Sequence, residues 1–189
     1  MADTVAITRV HEDALATRAQ IDQSAFADLY DHFFRRVYNY VRYRLGDPEA
    51  AEDVTAQVFE RALRHLPGYH VRRGSFAGWL FGIARHAVLD YLRQHKRHPL
   101  VSLEDVEVRS SDASEPAEQI EAAQTQAHLI ALVATLKERE QEIIALRFGA
   151  GLTNRRIAEL IGISETNVGV ILYRAIRTLR QKMAQEEVQ

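Results

Sequence analysis

The chain has no cysteine. That removes disulfide frameworks, thiolate zinc sites, cysteine nucleophiles and thiol redox sensing from its possible chemistry. No apolar run approaches the roughly 18 residues a membrane span needs. Met1 to Val10 carries Asp3 and Arg9 where a secretory leader has a cationic start and an apolar stretch. A cytoplasmic protein without membrane insertion is therefore expected. The histidines show no metal-ligand spacing such as HExxH, and no glycine-rich phosphate loop or nucleophile elbow occurs. We expect no metal, no cofactor and no catalytic residue, and so not an enzyme.

What is present is charge, unevenly placed. The totals nearly cancel, with 24 Lys+Arg against 26 Asp+Glu, but segments differ. Residues 1–23 hold two basic and four acidic side chains, and 24–98 hold twelve and eight, with six of the eight histidines. Residues 99–124 hold Arg109 alone against seven acids, and 125–189 hold nine basic and seven acidic groups. Two mildly basic blocks thus flank an acidic connector. Pro99, Ser102, Ser110, Ser111, Ser114 and Pro116 give that connector the composition of a flexible linker. The expected organisation is an extension over 1–23, a domain over 24–98, a linker over 99–124 and a second domain over 125–189.

Nearly every periodic stretch reads as helix. Phe26, Leu29, Tyr30, Phe33, Val37 and Val41 recur at spacings of three and four after Ser24, a plausible N-cap, and Gly46 ends the segment. Asp47-Pro48 then opens a helix whose inner stripe is Ala51, Val54, Thr55, Val58, Ala62 and Leu66. Beyond Pro67-Gly68 and the loop through Arg72-Arg73-Gly74, Ser75 caps a third helix with Phe76, Trp79, Leu80, Ile83, Ala87 and Tyr91 inward. The second block gives helices through Leu129 to Leu136 and Ile143 to Phe148, then a break at Gly149 and Gly151. The fold class is all-α, two small helical domains joined by the acidic linker.

Residues 153–182 carry the most specific pattern. Ala158 stands where two helices cross, Gly162 where a turn needs positive φ, and Val168 where the second helix is held against the first, as a helix-turn-helix requires. Ser164 can cap the second helix, and Val168, Ile171, Leu172, Ala175, Ile176 and Leu179 form its inner stripe. The opposite side shows Thr166, Val170, Tyr173, Arg174 and Arg177, with no acid. Such a face suits the major groove of DNA, and Arg155 and Arg156 at the start of the preceding helix suit backbone phosphates.

The first block has two unlike faces. Arg85, His86, Arg93 and Lys96 lie on the third helix near the Arg72-Arg73 loop, a basic and aromatic mixture suited to a single strand or an opening duplex. Phe76 and Trp79 read as core by stripe position, and Asp90 as a structural partner of Arg93 or Arg97. Glu49, Asp53, Gln57 and Glu60 share the outward side of the second helix, which is wrong for DNA and right for a basic or polar protein surface.

These residues match a known pattern. DPEAAEDVTAQVFERA at 47–62 with SFAGWLFGIARHAVLDYLR at 75–93 resembles region 2 of bacterial sigma factors of the extracytoplasmic-function group. LKEREQEIIALRFGAGLTNRRIAELIGISETNVGVILYRAIRTLRQ at 136–181 resembles region 4 of the same group. The resemblance implies a transcription initiation factor that binds core RNA polymerase, at its clamp and flap, and recruits it to promoter DNA. It places Glu49, Asp53, Gln57, Phe59 and Glu60 at the polymerase clamp. It places Arg72, Arg73, Arg85, His86, Arg93 and Lys96 near the opening minus-ten element. Ser164, Thr166, Asn167, Val170, Tyr173, Arg174 and Arg177, with Arg155 and Arg156, fall at the minus-thirty-five element. In this group the acidic connector threads basic polymerase channels, and an anti-sigma factor holds many members inactive. Ala56 and Gln57, His86, Lys137 and Val168-Gly169-Val170 depart from the common pattern, so promoter specificity does not transfer. The alternative reading is a conventional helix-turn-helix regulator that binds duplex DNA on its own, usually as a dimer.

Overall fold

A computed structural model describes residues 2–97 and 117–186, with side chains over 10–95 and 124–186. The connector residues 99–116 and the side chain of Lys96 lie outside the described residues. Every regular element described is helical, as expected.

Helix α1 (Ala2–Ala19) precedes α2 (Gln23–Leu45), and the cap between them is Asp22 rather than the expected Ser24. Extended backbone at Asp22 leaves its carboxylate over the first turn, where it accepts from the Ser24 amide at 3.0 Å and the Ser24 hydroxyl at 2.7 Å. Those two bonds, the hydroxyl first, hold the Asp22 carboxyl below the usual carboxylate range. Gly46 closes α2 in the left-handed region at φ 78°, and Asp47 caps α3 (Pro48–His65) by accepting from Glu49 N at 3.1 Å, both as read from the sequence. Two short 3-10 turns, Leu66–Gly68 and Val71–Arg73, lead to α4 (Phe76–Arg97).

Leu29, Phe33, Val37 and Val41 of α2 meet Val54, Val58 and Ala62 of α3 and Phe76, Leu80 and Phe81 of α4 in one core, to which α1 adds Ala16 and Ala19. Tyr30 departs from the expected inner stripe. It is exposed, because Leu29 and Phe33 already fill the space between α2 and its neighbours.

In the second block α5 (Ala117–Ala134) starts inside the segment expected to be linker. Helix α6 (Glu138–Ile144) runs into a π-helical turn at Ala145–Gly149, and α7 (Asn154–Ile161) and α8 (Glu165–Glu186) follow. Thr153 caps α7 and the Ser164 hydroxyl accepts from Asn167 N at 3.2 Å, while Gly162 at φ 71° makes the turn between α7 and α8. Val168, Leu172, Ala175 and Leu179 are buried, so the helix-turn-helix forms as its spacing implied.

The two blocks pack on each other. The π-helical turn lies so close to α2 that a Cβ on Gly149 would stand 2.9 Å from Cα and N of Tyr40. Beside this contact the Tyr40 hydroxyl donates to Glu142 Oε1 at 3.0 Å, and Arg44 Nε lies 2.9 Å from Glu142 Oε2. Arg44 also donates to the Gln141 side-chain oxygen, and Arg36 Nε donates to the Ala150 carbonyl at 2.9 Å. Burial first, then the Glu142 carboxylate, pushes the Tyr40 phenol well above its ordinary value.

Candidate functional site

Three surfaces collect the residues singled out in the sequence. On α8 the inner stripe turns Ser164, Thr166, Asn167, Val170, Tyr173, Arg174 and Arg177 outward, and all seven are exposed. Arg174 and Arg177 have no carboxylate at ion-pair distance among the described residues, so both guanidinium groups are available to an anionic ligand. The start of α7 differs. Arg155 and Arg156 share one carboxylate, that of Glu159, at 3.3 and 2.8 Å, and Arg156 is half-buried.

The second surface is the loop between α3 and α4. Residues 66–75 contain no acid, and His70, Val71, Arg72 and Arg73 are exposed along it. Further along α4, about 15 and 25 Å from its first residue by helical rise, His86 is exposed with Nδ1 2.7 Å from the Gly82 carbonyl, and Arg93 lies 3.5 Å from Asp90, the structural pair expected. Phe76 is buried and Trp79 partly so, in keeping with the core reading. Arg85 is a correction to the expected outer surface. Its Nε turns inward to 3.4 Å from Glu142, because that buried carboxylate gathers the cations of both α2 and α4.

The third surface is the outward side of α3. Glu49, Asp53, Gln57 and Glu60 are exposed there, Glu60 bridged to Arg64 at 2.5 Å. Tyr91 of α4 borders this side. Its phenol is raised from its ordinary value by burial and then by the carboxylates of Asp47 and Asp53. Phe59 is only 6% exposed, so it supports this surface instead of forming it. Over it lie Tyr30 at 4.6 Å and Phe34 at 6.4 Å between ring centroids, each 38% exposed, with Leu63 44% exposed beside them. Sequence reasoning missed this apolar patch. Its signal was Phe34, an aromatic one residue outside an already complete stripe.

The loop adjoins α7 rather than the exposed face of α8. Arg73 and Trp79 on one side and Arg156, Glu159 and Leu160 on the other line a single open cavity of about 400 Å³. No group of three metal-ligating side chains occurs among the described residues, and no described helix is long and apolar enough to cross a membrane.

Both blocks match known proteins. Residues 29–98 match Sigma-70 region 2, and residues 127–179 match Sigma-70, region 4. The chain is 32% identical over 166 residues to the ECF RNA polymerase sigma factor BldN of Streptomyces coelicolor, covering 87% of this chain and 63% of BldN, so it spans about two thirds of that longer relative. It is 32% identical over 176 residues to the ECF RNA polymerase sigma factor ShbA of Streptomyces griseus, covering 88% of this chain and 92% of ShbA. The fold is shared with the sigma factor RpoE in its co-crystal structure with the anti-sigma factor NepR from Bartonella quintana. That match has a TM-score of 0.66 at 16% identity and covers 84% of this chain and 96% of RpoE. With both sigma regions matched in order and a relative aligned over nearly its whole length, the chain belongs to the ECF RNA polymerase sigma factors, the transcription initiation factors that direct the polymerase to promoters.

Proposed function

We propose that the chain selects promoters through the three surfaces just described. The outer side of α3, with Glu49, Asp53, Gln57 and Glu60 beside the patch of Tyr30, Phe34 and Leu63, docks on core polymerase. The loop at Arg72-Arg73, with His86, Arg93 and Lys96, holds the minus-ten element as it opens. The exposed face of α8 enters the major groove at the minus-thirty-five element, Arg174 and Arg177 reading base edges and Arg155 and Arg156 gripping phosphates. The chain contributes binding energy and no bond chemistry of its own, and it acts in the cytoplasm where the polymerase is. The observation that supports this reading best is the coexistence, in one chain, of an acidic and apolar face on α3 and an acid-free cationic face on α8.

The packing of the two blocks adds a step. Elements about 25 base pairs apart are separated by on the order of 85 Å at about 3.4 Å per pair. Surfaces that line one cavity cannot occupy both at once, so the blocks part when the chain works on the polymerase. The seven acids of residues 99–124 then suit the basic channels that the connector crosses. An anti-sigma factor, of the kind present with RpoE, is the expected regulator.

The test separates the surfaces. Asp53→Arg with Glu60→Arg abolishes binding to core polymerase in a pull-down, whereas Arg174→Ala with Arg177→Ala keeps it and weakens promoter recognition, each arginine by about 1–3 kcal/mol if it makes a bidentate base contact. Unchanged polymerase affinity in the first double variant removes α3 from the docking surface.

A further inference from the structure

Helix α1 has a second attachment that its packing on α2 does not require. Glu12 already ties it to α2, lying 3.0 Å from His32 Nε2 and 3.1 Å from Arg36 Nη1, with Ala16 and Ala19 buried beneath. Asp13 and Gln20 stand two turns apart on the neighbouring side and reach elsewhere. The Asp13 carboxylate is buried, accepts from Phe76 N at 2.7 Å at the first turn of α4, and accepts from the Tyr69 hydroxyl at 3.1 Å. The Gln20 amide nitrogen donates to the carbonyls of Leu66 at 3.0 Å and Tyr69 at 2.7 Å.

All of these bonds end on the loop of residues 66–75 or on its junction with α4. Leu66 and Tyr69 bound the loop on one side and Phe76 on the other, with His70 to Arg73 exposed between them. The Tyr69 hydroxyl also lies 3.2 Å from the Gly74 carbonyl, and its ring packs edge-on to Phe76 at 5.5 Å, which closes the two ends on each other. A loop built of two short 3-10 turns has few internal bonds to fix its shape. Here the missing bonds come from α1. A buried carboxylate is tolerated only when fully partnered, and the amide at a helix start with an aromatic hydroxyl supplies that partnering.

We propose that Asp13 and Gln20 are positioning residues for promoter opening, holding the Arg72-Arg73 loop in the shape that receives the opened strand. This rests on the reading of that loop as the minus-ten contact. Capture of an unstacked strand is weakened when the receiving loop must order itself at the moment of binding, and the α1 bonds remove that ordering step. Neither residue needs to touch DNA.

The experiment uses full-length chain with core polymerase on a promoter fragment isolated by run-off transcription, with permanganate reactivity of opened thymines as the readout at saturating holoenzyme. Asp13→Ala and Gln20→Ala lower opening roughly tenfold, the size of a lost hydrogen bond involving a charged or buried partner, while affinity for core polymerase stays native. Asp13→Asn, which keeps an acceptor oxygen, retains near-native opening. Arg72→Ala with Arg73→Ala runs in parallel. If that pair opens the fragment normally, the loop is not the minus-ten contact and the proposal falls with that reading. If the pair is defective but Gln20→Ala and Asp13→Ala open normally, or lose core binding in step with opening, the positioning role is overturned. Should Asp13→Ala fail to fold, Gln20→Ala decides between these results, and an Asp13→Asn defect as deep as the arginine pair's excludes hydrogen bonding as the means.

Discussion

Glu142 gathers three partners at the boundary between the two blocks: the phenol of Tyr40 and the guanidinium groups of Arg44 and Arg85. Burying such charges is costly, and removing one partner strands the others, which typically costs about 3–5 kcal/mol. Tyr40 makes this boundary sensitive to alkali. The fold holds its phenol well above 10, so above about pH 10 the unfolded chain releases a proton that the folded chain keeps, and stability falls as pH rises. Below that range the group contributes no slope. We predict that Tyr40→Phe loses about 1.5–3 kcal/mol at neutral pH by urea unfolding, for the bond to the carboxylate, and shows a shallower alkaline loss than the native chain. Equal slopes from pH 9 to about 11 would remove Tyr40 from this role. None of this was legible in the sequence. Glu142 ends a run of polar residues, Lys137 to Glu142, in which nothing sets one acid apart from the others, and only the packing of a distant helix shows why this one is buried.

Helices and turns with local causes were legible. Asp47-Pro48 and Gly46 act where their backbone preferences place them, and the helix-turn-helix follows from Gly162, Ser164 and the α8 stripe with no reference to the rest of the chain. Where neighbouring elements decide, the pattern misled. Asp22 rather than Ser24 caps α2, both being competent caps, and Tyr30 is exposed because a stripe of six apolar residues is wider than the face α2 buries. The contact of the π-helical turn with α2 is of this second kind, for Gly149 read only as a break. A methyl group there would meet the backbone of Tyr40, which cannot yield as a side chain can. We predict that Gly149→Ala lowers stability by about 1–3 kcal/mol in urea unfolding while circular dichroism retains the helix content. A native midpoint would show that the turn and α2 do not meet in solution.

The three candidate surfaces differ in how far the sequence disclosed them. The α8 face was complete from periodicity, because an amphipathic helix fixes its own outer side. The α3 face was half seen, its acids by charge but its aromatic patch hidden under residues assigned to the core. The closeness of the Arg73 loop to Arg156 was invisible, since no periodicity relates positions more than 80 residues apart. On the function proposed above the molecule has two arrangements, one with the Arg73 loop against α7 and one with the blocks parted on a promoter. The absence of cysteine makes the difference directly measurable. Asp31→Cys on α2 and Gln181→Cys on α8 are exposed positions among none of the residues assigned to the three surfaces, and they accept a donor and acceptor dye pair without competing thiols. Energy transfer between the dyes is then followed as core RNA polymerase is added at nanomolar concentration. We predict high transfer in the free chain, a fall on addition of core polymerase, and no comparable fall with promoter duplex alone. Transfer unmoved by core polymerase, together with tight binding of the free chain to duplex DNA, would contradict a polymerase-dependent initiation factor and describe a conventional regulator.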